Sequence, residues 1–224
     1  MRWASSSLVS YWPWEHAVEA VHERQLRDGA REAIRSELSQ NLDALRRRAE
    51  VQVCVDRRLA ELETLLVSMP DQSALPRPLW VGRPQVWNIR ETLWQAATSG
   101  ARTSLLLPVE QAGYARLYEL LDNFENHNNI EQLAWARLRA LGILPTLEPE
   151  TRASLVEALL EARYANFRIK VAAAQAHDAA KELKLKTVRS PFPEGSRSVC
   201  IPMNTPRDEA MKIATDGRED YGEP

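Results

Sequence analysis

An all-α bundle of four or five helices, with a long N-terminal helix and an irregular C-terminal segment, is the fold that this sequence predicts. Proline removes a helical hydrogen bond and clashes with the preceding turn, and the thirteen prolines leave two tracts untouched, Trp14 to Met69 and Glu150 to Ser190. Within both tracts the apolar residues recur at helical spacing. Strand patterning is confined to two short apolar runs, Ser104 to Leu107 and Val199 to Ile201. With 224 residues, 44% hydrophobic and 27% charged, the chain has the composition of a globular domain and excludes wholesale disorder or a disulfide-dense miniprotein. A formal net charge of −2 argues against a nucleic-acid partner.

The first tract, Glu15 to Met69, would extend about 80 Å as one unbroken helix. Leu38, Leu45, Leu59 and Leu66 lie on a seven-residue repeat with Gln52 at the missing step, and Ile34, Leu42, Ala49 and Leu62 widen the stripe. This predicts packing from Ile34 onward, with Leu38 and Leu45 as candidates for self-association. Earlier positions alternate in charge at helical neighbour spacing, as in Glu19, Glu23, Arg24, Arg27 and Arg31, and read as a solvated stalk with Gly29 as the place for a bend. Short helices follow over 88–99, closed by Gly100, and over 108–126, opened by Pro108. The Asn126-His127-Asn128-Asn129 stretch reads as a weak interruption before a helix over 130–141 that ends at Gly142. The second tract presents Leu155, Leu159, Leu160, Tyr164, Phe167 and Val171 as one broad apolar face of a central bundle helix. The division expected is a juxtamembrane or flexible tail over 1–14, a helical bundle over 15–190 that includes the stalk helix 15–69, and a proline-rich segment over 191–224. That last segment carries a small helix from Pro206 to Ala214 and a disordered acidic end.

Trp14-Glu15-His16 leading into Ala33-Ile34-Arg35-Ser36-Glu37-Leu38-Ser39-Gln40-Asn41, followed by Thr92-Leu93-Trp94-Gln95-Ala96-Ala97-Thr98-Ser99-Gly100, resembles uncharacterised bacterial proteins with a single N-terminal membrane helix and a helical soluble domain. The resemblance covers roughly residues 11 to 125 and implies an all-helical domain held at a membrane, with no activity attached. The membrane helix itself is missing, since Met1 to Pro13 is too short to span a bilayer. Trp3, Tyr11, Trp12 and Trp14 then read as an interfacial aromatic belt left by a truncated or misplaced start; a tail packing its tryptophans on the domain is the alternative. The segment lacks a signal peptide's apolar stretch and cleavage site.

Cys54 falls on the long helix and Cys200 in the proline-rich segment, so that a disulfide between them would staple that segment to the bundle. Two free thiols are the alternative, and the choice follows the compartment, because disulfides persist in oxidising ones. Glu19 and His22 have the spacing of a di-iron half-site, but no second Glu-x-x-His exists, and no metal or cofactor is expected. Nucleophile-elbow, phosphate-loop and zinc-protease signatures are absent. The function expected is a non-enzymatic, membrane-tethered interaction, scaffold or sensor module of the bacterial cell envelope. It would lie outside the cytoplasm and work with a protein partner or through self-association; free cysteines would instead mark a cytoplasmic protein. The alternative is a small-ligand-binding or enzymatic helical domain with a pocket near Trp80, Trp87, Trp94 and His127.

Overall fold

The computed structural model describes residues 12–100, 102–190 and 197–216. The aromatic segment 1–11, Pro191 and Pro193, and the acidic end 217–224 lie outside the described residues. The described chain is helical: α1 (Trp12–Glu50), α2 (Gln52–Ser68), α3 (Thr92–Ser99), α4 (Pro108–Leu138), α5 (Pro149–Glu182) and α6 (Arg207–Asp216). Six helices replace the four or five expected. No strand forms among the described residues; the two runs read as extended fall instead in 3-10 turns at Arg102–Leu105 and Ser198–Cys200.

Helices α4 and α5, of 31 and 34 residues, form an antiparallel hairpin that is the spine of the bundle. Gly113 near the start of α4 lies under Leu183 just past the end of α5, so close that a Cβ there would come 2.6 Å from Leu183 Cδ2. At the other end Arg137 faces Glu157 and Glu161. Against one half of this hairpin packs α1, with Ile34, Leu38, Leu42 and Leu45 set on Leu117, Phe124 and the alanine face of α5. Against the other half packs α2, with Val55, Leu59 and Leu62 set on Trp135, Leu138 and Leu159. There are thus two apolar cores, one above the other.

The seam between them is polar. Arg48, at the end of α1, donates to Glu131 Oε1 at 2.8 Å and to Asn166 Oδ1 at 2.9 Å, and both Arg48 and Glu131 are withdrawn from water. Gln52 at the start of α2 accepts from Arg48 at 2.7 Å and donates to Asn166 Oδ1 and Asp56 Oδ1. Burial pushes the Glu131 carboxyl above its ordinary range, against the pull of Arg48. The break between α1 and α2 falls at this level, on buried Val51 with φ −93° and ψ 3°. The bend expected at Gly29 does not occur. Gly29 has no atom within 4 Å of where a Cβ would be, and α1 runs through it as solvated helix, because nothing there pulls the chain aside.

Nor is α4 interrupted at 126–129. Asparagine disfavours helix by competing for the backbone, but Asn126 donates to Asp122 Oδ2 and buried Asn128 donates to the Trp87 carbonyl, so these side chains are engaged elsewhere. The apolar face expected of α5 is divided. Leu155 and Leu159 are buried, whereas Leu160, Tyr164 and Phe167 are 61%, 56% and 58% exposed; the register set by Arg137–Glu161 and His127–Tyr164 puts Leu133 of α4, 70% exposed, at the same level of the hairpin. The residues behind the family resemblance hold α3. Buried Glu37 accepts from the Leu93 and Trp94 backbone N–H groups at 2.9 and 3.3 Å, a cap lent by α1 to the positive end of another helix. Asn41 brackets Arg90 by accepting from its N–H and donating to its carbonyl.

Replacing Arg48 by Met strands Glu131 in the seam and is expected to cost about 3–5 kcal/mol. Adding Glu131→Leu should recover much of that loss, because two apolar groups replace an unpaired charge. Urea unfolding of the single and double variants measures both.

Candidate functional site

Cys54, Arg57 and Arg58 share one face of α2, and all three grip the segment that follows α5. Cys54 is disulfide-bonded to Cys200 with Cα atoms 4.8 Å apart. Arg57 donates to the Cys200 carbonyl at 2.8 Å, and Arg58, with no exposure to solvent, donates to the carbonyls of Trp80, Val81 and Ile201. Burial lowers the Arg58 guanidinium's pKa and Glu61, bonded to its Nε at 2.7 Å, opposes this. The adjacent pair Arg57-Arg58 therefore acts as a clamp while both guanidinium groups also pair with Glu61, at 3.8 and 2.7 Å.

That clamp sews two irregular segments together. Trp80 donates from its backbone to Met203 O at 2.7 Å and from its indole to Ser198 O at 3.0 Å. Gly82, at φ +65°, passes so near that a Cβ would come 2.5 Å from the Ser198 carbonyl oxygen, so only glycine fits. With α6 on one side and the end of α4 on the other, the sewn segments frame a cleft of about 400 Å³ that includes Trp80, Arg139, Ile143, Arg207 and Met211. A second cleft of about 440 Å³ adjoins it and shares Trp80, Gly82, Arg139 and Met211 while adding Arg83.

The four residues singled out for a pocket do not converge. Trp80 lines the cleft just described. Trp87 is buried beneath the Arg47 guanidinium, 5.7 Å from its ring centre, and borders a smaller cleft of about 230 Å³ with Asp43 and Ser190. Trp94 stacks on Tyr118 at 5.1 Å. His127 meets Tyr164 edge-on at 6.2 Å, and burial, reinforced by the Arg168 charge, lowers its pKa. Leu38 and Leu45 are fully buried in the chain's own core, which leaves them no surface for a second copy. Glu19 and His22 stay on the exposed stalk, and among the described residues no group of three or more His, Cys, Asp or Glu side chains is placed to hold a metal ion.

Arg139, Arg207 and Met211 were not singled out by sequence. Arg139 follows the end of α4 while Arg207 and Met211 belong to α6, and only the fold of the C-terminal segment brings them to one cleft. Comparison of the chain with protein-family models, with curated proteins and with solved structures finds no match.

Two predictions follow from these contacts. Cys54→Ser and Cys200→Ser should each remove the closure of a 146-residue separation, worth up to about 5 kcal/mol on the chain-entropy account. In a chain of this size that corresponds to roughly 10 °C in Tm. The double variant should melt with the single ones, since either substitution already removes the bond; calorimetry reads this directly. Asp43 offers a pH test. Burial pushes its carboxyl up, but hydrogen bonds from Arg47, Ser190 and Arg46 outweigh this and hold it at about 2, below the ordinary 3.8. A folded pKa below the unfolded one gives stability that is present above about pH 4 and lost as the pH falls toward 2, amounting to about 2 kcal/mol. Asp43→Asn should abolish that component of acid sensitivity, measured as unfolding free energy between pH 5 and pH 2.

Proposed function

We propose that this chain is a non-enzymatic interaction module of the bacterial cell envelope, tethered to a membrane through its N-terminal end. The observation that carries the interaction reading is the apolar ridge on the outer face of the α4–α5 hairpin, where Leu133, Leu160, Tyr164 and Phe167 stand in water beside half-exposed Ile130. Contiguous exposed apolar side chains of this size mark surfaces that meet another macromolecule. The Cys54–Cys200 disulfide supports an oxidising compartment. No helix among the described residues is long and apolar enough to cross a membrane. Tethering therefore rests on the aromatic N-terminal residues and on the stalk: α1 stays solvated from His16 to Leu26 before it reaches the bundle.

Site-specific photo-crosslinking in the native host tests the reading. A photoreactive amino acid at Leu133 or Phe167 should give a discrete adduct, of twice the chain mass for self-association and of another mass for a different partner. The same amino acid at the exposed positions Ala60 and Val67 on α2 should not. No adduct above that background at the ridge would overturn the interaction reading. Free thiols at Cys54 and Cys200 in protein taken from the host without reductant would overturn the location.

A further inference from the structure

We infer that the cleft between Trp80, the end of α4 and α6 is a binding site for a small organic anion, a ligand carrying a carboxylate, sulfonate or phosphate group on a planar apolar body. This goes beyond the interaction reading and does not depend on it.

The charge is the first argument. About half of the described arginines are answered by carboxylates, among them Arg31 by Glu110, Arg46 and Arg47 by Asp43, Arg48 by Glu131, Arg152 by Asp71 and Arg163 by Glu63. Arg139 and Arg207 are not. Both line the cleft, neither side chain makes an ion pair or hydrogen bond among the described residues, and no described carboxylate lines the cleft with them. Arg83, which adds a third charge in the adjoining cleft, is engaged among the described residues only by the neutral Gln132 amide oxygen at 3.3 Å. Unpaired guanidinium groups offer forked donors suited to a planar or tetrahedral oxyanion. Two such groups in one cleft, with Arg83 in the adjoining one, on a chain with formal net charge −2, fit a compact anion better than the extended backbone of a nucleic acid.

The apolar lining is the second. Trp80 stands at the junction of the two clefts, with Met211, half exposed, and Ile143, 68% exposed, close by. An indole beside a polarizable thioether is suited to a flat apolar body. The volumes, about 400 and 440 Å³, fall within the range of small-molecule sites.

Rigidity is the third. Trp80 is fixed at its carbonyl by Arg58, at its N–H by Met203 and at its indole by Ser198. The opposite wall hangs from the stapled segment, since α6 begins at Arg207, soon after Cys200. A site preorganised in this way pays little to order itself when ligand arrives.

Titration of the oxidised full chain with 8-anilinonaphthalene-1-sulfonate tests the inference, read by dye fluorescence and by the Trp80 indole N–H resonance. We expect saturable binding that shifts the Trp80 signal and is weakened at least tenfold by Arg139→Glu and by Arg207→Glu, with milder weakening for Arg139→Gln. These side chains are exposed and have no partner among the described residues, so circular dichroism should be unchanged. Leu160→Ser with Phe167→Ser, ridge positions on α5, which contributes no residue to either cleft, should leave the Trp80 shift in place. The inference is overturned if the Trp80 signal does not move, if charge reversal leaves the affinity unchanged, or if the ridge substitutions alone abolish binding.

Discussion

Arg48 and Glu131 meet 2.8 Å apart with both side chains out of water, and the layout of both apolar cores follows from where that pair sits. A buried carboxylate is costly unless it is paired and hydrogen-bonded. Here its partner comes from the last turn of α1, while Asn166 and Gln52 complete the network from α5 and α2. The four helices can share these groups only at one height along the hairpin. Leucine repeats by themselves leave neighbouring registers close in energy, and a polar layer separates them. The turn from α1 to α2 occurs where the network needs donors from both, and each helix then covers its own half of α4 and α5.

A second theme concerns backbone carbonyls. Segments rich in proline lack donors and cannot pair their own carbonyls in a ladder. This chain meets the need with guanidinium groups, which donate without requiring an acceptor site of their own. Arg58 serves Trp80, Val81 and Ile201; Arg77 serves Gly142 and Leu144; Arg152 serves Leu66 and Met69; Arg35 serves Leu183 and Lys184 at the end of α5. Apart from Arg77, which itself lies between α2 and α3, these donors belong to helices, and they tie the irregular segments and helix ends to the bundle.

Much of the helical layout was legible in the sequence, because proline placement and apolar period are local signals. The stalk, the α5 tract, the stop at Gly142 and the short C-terminal helix could all be read in this way. The pairing of Cys54 with Cys200 was legible as one of two outcomes, since spacing alone does not bring distant thiols together. What could not be read depended on tertiary partners. Val51 carries no breaking residue type, and the turn there is imposed by the seam. Asn128 looks like a helix interruption until Trp87 supplies its acceptor. Leu160, Tyr164 and Phe167 have the same character as Leu155 and Leu159, and only the position of α2 decides which of them are covered. Arg139 and Arg207 gave no local signal at all, because an unpaired arginine is recognised only by the absence of neighbours.

The grip of α2 on the C-terminal segment also bears on how the two thiols meet. Arg57 and Arg58 hold Cys200 and Ile201 by their carbonyls, contacts that need no sulfur chemistry. A reduced chain that has reached this arrangement already presents its two thiols to each other at high effective concentration. With only two cysteines in the chain there is no competing pairing to undo. In a chain that has reached this arrangement, the covalent bond is a latch on contacts made without it.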